Sequence, residues 1–91
     1  MSKQTIKEQI AEIDDGILLA DGFEEALIGV STQFTRGTIA LYDWDKCVKI
    51  LMERDKMDYD EAVEFMDFNV TGSWVGEKTP AFARLMVEEP E

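Results

Sequence analysis

Paired carboxylates are the groups in this chain whose spacing could do chemistry. Asp14-Asp15 and Glu24-Glu25 are adjacent, and Asp60 and Glu64 stand one helical turn apart. Two carboxyls facing each other across a cleft can divide into a general acid and a nucleophile or base, provided their surroundings push their pKa values apart. Here the pairs fall in expected turns or on an expected solvent-facing helix surface, where nothing separates their pKa values. Solvated surface is therefore the stronger reading. An oxygen-ligated cation is the second possibility for such residues. The segment Asp55-Lys56-Met57-Asp58-Tyr59-Asp60-Glu61 lacks the alternating Asp pattern, central Gly and closing Glu of a calcium loop. Its spacing is that of an interhelix turn leading into a capping box. No catalytic residue, metal ligand or cofactor is assigned from these patterns.

What is missing narrows the chemistry further. The chain has no histidine and one cysteine, Cys47. Without histidine there is no Cys–His nucleophile pair, no zinc site of the ordinary kind and no titration switch near neutrality. One cysteine forms no intramolecular disulfide, so the chain does not follow the pattern of small secreted domains. Cys47 falls on the apolar side of an expected helix and reads as a small buried hydrophobe. Gly72-x-x-x-Gly76 lacks the Lys-Ser/Thr of a phosphate loop and reads as turn geometry.

Charge points to the class of partner. Twenty acids against nine bases give a net charge of −11. That disfavours direct binding to nucleic acid or to an anionic membrane surface, both of which need Lys and Arg. It favours a partner with a basic surface. No apolar run approaches the ~20 residues of a membrane span, and MSKQTIKEQI has no signal-peptide core. A cytoplasmic protein is expected, made of one domain over residues 1–91.

The elements that must position these residues are signalled by caps and periodicity. Thr5 and Glu8 have capping-box spacing, and Ile6, Ile10, Ile13 and Ile17 recur at helical intervals, predicting a short N-terminal helix or arm within 1–17. Asp14-Asp15-Gly16 stops it, and Asp21-Gly22 is a turn. Residues 23–34 and 38–42 predict two strands joined at Arg36-Gly37, with a bulge or close approach at Gly29. Asp43 caps a helix to about residue 56, with Trp44, Cys47, Val48 and Leu51 on its inner face and Asp45–Lys49–Glu53 on the outer. Asp58 and Glu61 cap a second helix over about 59–69, ended by Asn69 and Gly72. A short third strand is expected near 73–76, through Trp74 and Val75. Ala81 to Val87 is apolar enough to pack as a strand or a turn of helix, and 88–91 reads as a loose acidic tail. The fold class is α+β: a small single domain in which a β-hairpin, over about 24–42, and a short third strand pack against two helices, with the N-terminal one as a third.

The second helix carries the sharper functional signal. Residues 58–77 hold six acids and no base. Tyr59, Ala62, Val63, Met66 and Val70 share one face, and Asp60, Glu61, Glu64 and Asp67 the other. Phe68 projects among the acids at 100° per residue, where a core residue does not belong. Carboxylates spaced along a helix can imitate a nucleic-acid backbone and occupy a basic groove, with an aromatic side chain as anchor. Asp60, Glu61, Glu64, Asp67 and Phe68 are thus the candidate partner-binding residues. The alternative is a self-associating structural or housekeeping protein that uses Ile50, Phe65 and Phe68 as contacts.

Two stretches carry a family resemblance. They are residues 18–30, LLADGFEEALIGV, and residues 42–80, with Tyr42-Asp43, Glu61-Ala62, Phe65, Phe68-Asn69-Val70, Gly72, Val75-Gly76-Glu77 and Thr79-Pro80. They resemble a widespread family of small bacteriophage and prophage proteins that has no assigned activity. The resemblance spans about two-thirds of the chain and implies a phage or phage-derived origin, not a mechanism. Combined with charge and size, it leads to the expectation of a non-enzymatic phage-type inhibitor of a host nucleic-acid-handling or defence factor, acting in the host cytoplasm as a DNA mimic.

Overall fold

Local signals set the element boundaries in the computed structural model, which describes residues 4–34, 37–70, 72 and 76–88. Helix α1, Ile6–Ile13, opens with the expected capping box: the Glu8 amide donates to Thr5 Oγ1, and the Thr5 amide donates to the Glu8 carboxylate. It ends where Asp14 Oδ1 accepts from the Gly16 amide, so the Asp side chain competes with the helix for backbone partners. The spacing of its isoleucines does not translate into a buried face. Ile10 is buried and Ile17 beyond the helix is buried, whereas Ile6 is exposed and Ile13 is 61% exposed.

Strands β1, Leu27–Gln33, and β2, Gly37–Asp43, form the expected antiparallel hairpin. The register runs Leu27↔Tyr42 and then Gly29↔Leu41, so Ile28 is an extra residue and the bulge lies beside Gly29 as anticipated. Gly37 has φ of +71°, the left-handed geometry for which it was expected at the hairpin turn; Arg36 lies outside the described residues. The first strand starts later than its apolar content suggests. Glu24–Ala26 form a turn of 3₁₀ helix that carries Phe23 and Ala26 into the core before the chain extends.

Helix α2, Trp44–Arg54, follows β2 without a loop because Asp43 is at once the last strand residue and the N-cap, its carboxylate accepting from the Lys46 amide at 3.2 Å. Trp44, Cys47, Val48 and Leu51 are buried, as the i, i+3, i+4, i+7 spacing requires. Neither Asp45–Lys49 nor Lys49–Glu53 closes as an ion pair; among the described residues Arg54 pairs with Asp55 at 3.0 Å. Exposed charges gain little by closing, and the loss of side-chain freedom offsets that gain. Helix α3, Tyr59–Phe65, is capped by Asp58 and Glu61 reciprocally and runs into a π turn, Met66–Val70.

The third strand lies in the Ala81–Val87 run, for which a strand or a turn of helix was expected. Of the proposed 73–76, residues 73–75 lie outside the described residues and Gly76 is in a bend. Strand β3 is Ala81–Ala83, pairing parallel to β2 through Leu41↔Ala81, Tyr42↔Phe82 and Asp43↔Ala83 to give the order β1-β2-β3. Pro80 does not prevent this, since a residue lacking an N–H is tolerated at the start of an edge strand. Thr79 closes the preceding turn, its amide and hydroxyl both donating to the Gly76 carbonyl. The remainder of the apolar run leaves the sheet: Leu85, Met86 and Val87 are exposed.

The resulting α+β domain has its core between one face of the sheet and α2 and α3. Ala40 and Tyr42 of β2, Cys47 and Leu51 of α2, Ala62 of α3 and Met66 of the π turn meet there, with Phe23, Ala26 and Ile10 completing it. Tyr42 Oη accepts from the Ala20 amide at 2.7 Å, and its ring stacks on Phe82 with centroids 5.4 Å apart. One side chain thus ties the segment after α1 to β2 and β3. Arg54 does similar work at the far end of α2: it donates to the Gly22 carbonyl at 2.8 Å and lies over the Phe23 ring. No helix among the described residues is long and apolar enough to cross a membrane.

Candidate protein-binding face

The candidate face is built by α3 and its π turn, and their inner side fixes what the outer side presents. Ala62 and Met66 are fully buried, with Val63 and Val70 half-buried. Holding those residues in the core turns Asp60, Glu61, Glu64 and Asp67 to solvent, and all four are exposed. Tyr59, grouped with the inner face by its spacing, is half exposed.

The π turn is the feature that periodicity did not reveal. Its hydrogen bonds reach back five residues instead of four, so the 3.6-residue register slips after Phe65. Phe68 is left 75% exposed. Phe65 remains half-buried against the core and Met57, in the turn between α2 and α3, is also half-buried. Together with Glu61, Glu64 and Asn69 these residues border a shallow depression of about 290 Å³. Its lining combines apolar Met57, Phe65 and Phe68 with acidic Glu61 and Glu64.

Gly72 fixes the far end of the face. A Cβ there would fall inside the van der Waals envelope of the Asp67 carbonyl oxygen, with the Phe68 carbonyl also close. The chain after the π turn passes against the backbone of the residues that present Asp67 and Phe68, and only glycine permits that approach.

The five candidate residues therefore divide. Glu61, Glu64 and Phe68 share the depression, whereas Asp60 and Asp67 flank it on the open surface. Glu61 also has a structural task, its Oε1 accepting from the Asp58 amide at 3.3 Å while the Glu61 amide donates to Asp58 Oδ1 at 2.8 Å. The residues named for self-association divide as well: Ile50 and Phe65 pack partly against the core, leaving Phe68 as the exposed one.

Carboxylates also meet elsewhere. Glu24, Glu25 and Glu53 line a depression with Gly22, Ile50 and Arg54. Hydrogen bonds from the backbone amides of Glu24 and Gly22 hold the Glu24 carboxyl below its ordinary pKa. A general acid needs a shift in the other direction. Cys47 is fully buried, and loss of hydration pushes its thiol up to about 12, which removes the thiolate a nucleophile or metal ligand requires. Among the described residues no group of three or more Cys, Asp or Glu side chains is arranged to hold a metal ion.

Two exposed basic side chains also make internal contacts: Arg54 with Gly22, Phe23 and Asp55, and Arg84 over the Trp44 ring at 4.3 Å. The acidic face carries no cation of its own from residue 58 to 77. No protein-family model, no curated protein and no solved structure matches the chain.

Proposed function

We propose that this chain is a non-enzymatic, phage-type binding protein that occupies a basic nucleic-acid groove on a host protein and so inhibits it. The observation that carries the reading is the outer face of α3 and the π turn. There Asp60, Glu64 and Asp67 form an exposed acidic stripe with no intervening cation, and exposed Phe68 lines a depression with Met57 and Phe65.

The spacing suits a charge mimic. At a rise of about 1.5 Å per residue the three carboxylates fall at about one per 5 Å of helix axis, against about one phosphate per 3.4 Å on a single DNA strand. The stripe is sparser than a strand but of the same sign and direction. Long-range attraction brings the partner's basic groove to it, and Phe68 with Met57 and Phe65 supplies the apolar contact that charge alone does not give. The host partner is thus a protein with a basic surface; the chain itself does not bind nucleic acid.

The test is capture from nuclease-treated bacterial lysate, comparing the wild type with a variant in which Asp60, Glu64 and Asp67 are reversed to Lys. Loss of the captured protein in the variant supports the face. Retention of the same protein at the same level removes it.

A further inference from the structure

We infer that residues 84–88 form a self-complementary docking strand through which two copies of this chain pair antiparallel. The observation is independent of the acidic face. Leu85, Met86 and Val87 are 58%, 83% and 86% exposed, a consecutive apolar run that a soluble surface does not carry without use. The run leaves directly from β3, and β3 is an edge strand: among the described residues it pairs with β2 alone. An unpaired edge followed by exposed apolar residues is a template for another strand.

Charge selects the occupant. The run is flanked by Arg84 on one side and Glu88 on the other, both exposed. In an antiparallel pair centred on Met86, Arg84 of each copy stands opposite Glu88 of the other, Leu85 opposite Val87, and Met86 opposite itself. Every cross-strand pair is then either apolar or of opposite charge, the combination that stabilises antiparallel strands. A two-fold axis through Met86 makes the contact isologous and closed, so it ends at a dimer. Arg84 is already held over the Trp44 ring at 4.3 Å, which limits the freedom it would lose on pairing. Five residues per chain make a small contact, below the ~1,200 Å² at which interfaces become stable, so the dimer is a weak one. It would carry two acidic faces, which favours a partner with two basic sites.

The experiment is sedimentation of the full chain in 0.15 M salt up to about 1 mM, a range chosen for a contact of this size, for the wild type, Arg84→Glu, Glu88→Arg and the double exchange. The wild type is expected to show reversible dimerisation. Each single reversal places like charges opposite each other twice and is expected to weaken association about tenfold. The double exchange restores opposite pairs and is expected to recover most of it. The two single reversals move net charge in opposite directions, so an effect of overall repulsion would strengthen association in Glu88→Arg instead of weakening it. Far-ultraviolet circular dichroism of each variant checks folding. A wild type that stays monomeric throughout overturns the inference. So does a dimer that ignores the reversals, or one that the double exchange does not recover.

Discussion

Replacing Tyr42 by Phe isolates one hydrogen bond that joins three parts of the chain. The Tyr42 ring is buried and stacked on Phe82, and Phe keeps both features. What is lost is the acceptor for the Ala20 amide, now 2.7 Å from Oη. A buried donor left without a partner costs about 1–3 kcal/mol. Ala20 is half-buried, so water reaches it in part and the lower half of that range applies. For a domain of this length 1 kcal/mol shifts Tm by about 4–8 °C, so a fall of about 4–16 °C is expected. The measurement is thermal and urea unfolding followed by circular dichroism, with the urea m-value unchanged because the same surface is exposed. Amide exchange supplies the local check, since the Ala20 amide should lose protection before its neighbours do. The pH dependence gives a second signature. Burial raises the Tyr42 pKa, and the Ala20 hydrogen bond opposes it only in part. Its folded value therefore lies above its unfolded one, near 10. The stability linked to the phenol is complete below about pH 10 and is lost as pH rises through the folded value. The Phe variant should lack that component. A Phe variant within 0.3 kcal/mol of wild type, with Ala20 still protected, would refute the account of how the segment after α1 is held.

Other substitutions probe the remaining parts of the account. Gly72→Ala should destabilise the fold by about 1–3 kcal/mol, the size of an overpacking clash, here of the new Cβ with the Asp67 carbonyl, and should move the Asp67 and Phe68 resonances in an amide NMR spectrum more than those of α2. Cys47→Ala should flatten the alkaline limb of the stability curve. In the wild type the thiol titrates near 9 unfolded and at about 12 folded, so its contribution is full below pH 9 and is lost as pH climbs toward 12. In the native protein Cys47 should also resist thiol reagents that label the unfolded chain. Arg54→Ala should loosen the Gly22 turn and lower stability by about 1–2 kcal/mol through the lost carbonyl and Phe23 contacts. Lys at position 54 should recover little of that loss, because one ammonium does not reproduce the planar contact with the ring.

Caps and helix cores were legible because they are local. Asp43, the Asp58–Glu61 pair and the Thr5–Glu8 pair satisfy amides within one turn, so their spacing alone specifies the contact. The same holds for Gly29 at its bulge and for the Trp44–Leu51 stripe. Strand β3 was legible only as one option for the Ala81–Val87 run, because a three-residue parallel edge is defined by its neighbour β2 and not by any alternation of its own. The α1 isoleucines show a different limit: periodicity identifies an apolar face but cannot say whether anything covers it, and Ile13 is left in solvent. The candidate face was half legible. Its acids and Phe68 could be named from composition and helical spacing. The π turn at Met66–Val70, and the meeting of Met57 and Phe65 with Phe68 around one depression, depend on contacts between residues apart in sequence, which no local pattern encodes.

Displacement of nucleic acid tests the central claim most directly. The host protein captured by the wild type is loaded with a fluorescent DNA or RNA duplex, and release is followed by anisotropy as the chain is added. The account predicts that the wild type displaces the duplex competitively and less effectively as salt rises. It predicts that Phe68→Ser displaces it at higher concentrations and that the Asp60, Glu64, Asp67 to Lys variant fails. A captured protein that holds no nucleic acid, or a reversed variant that displaces the duplex as well as the wild type, would contradict it.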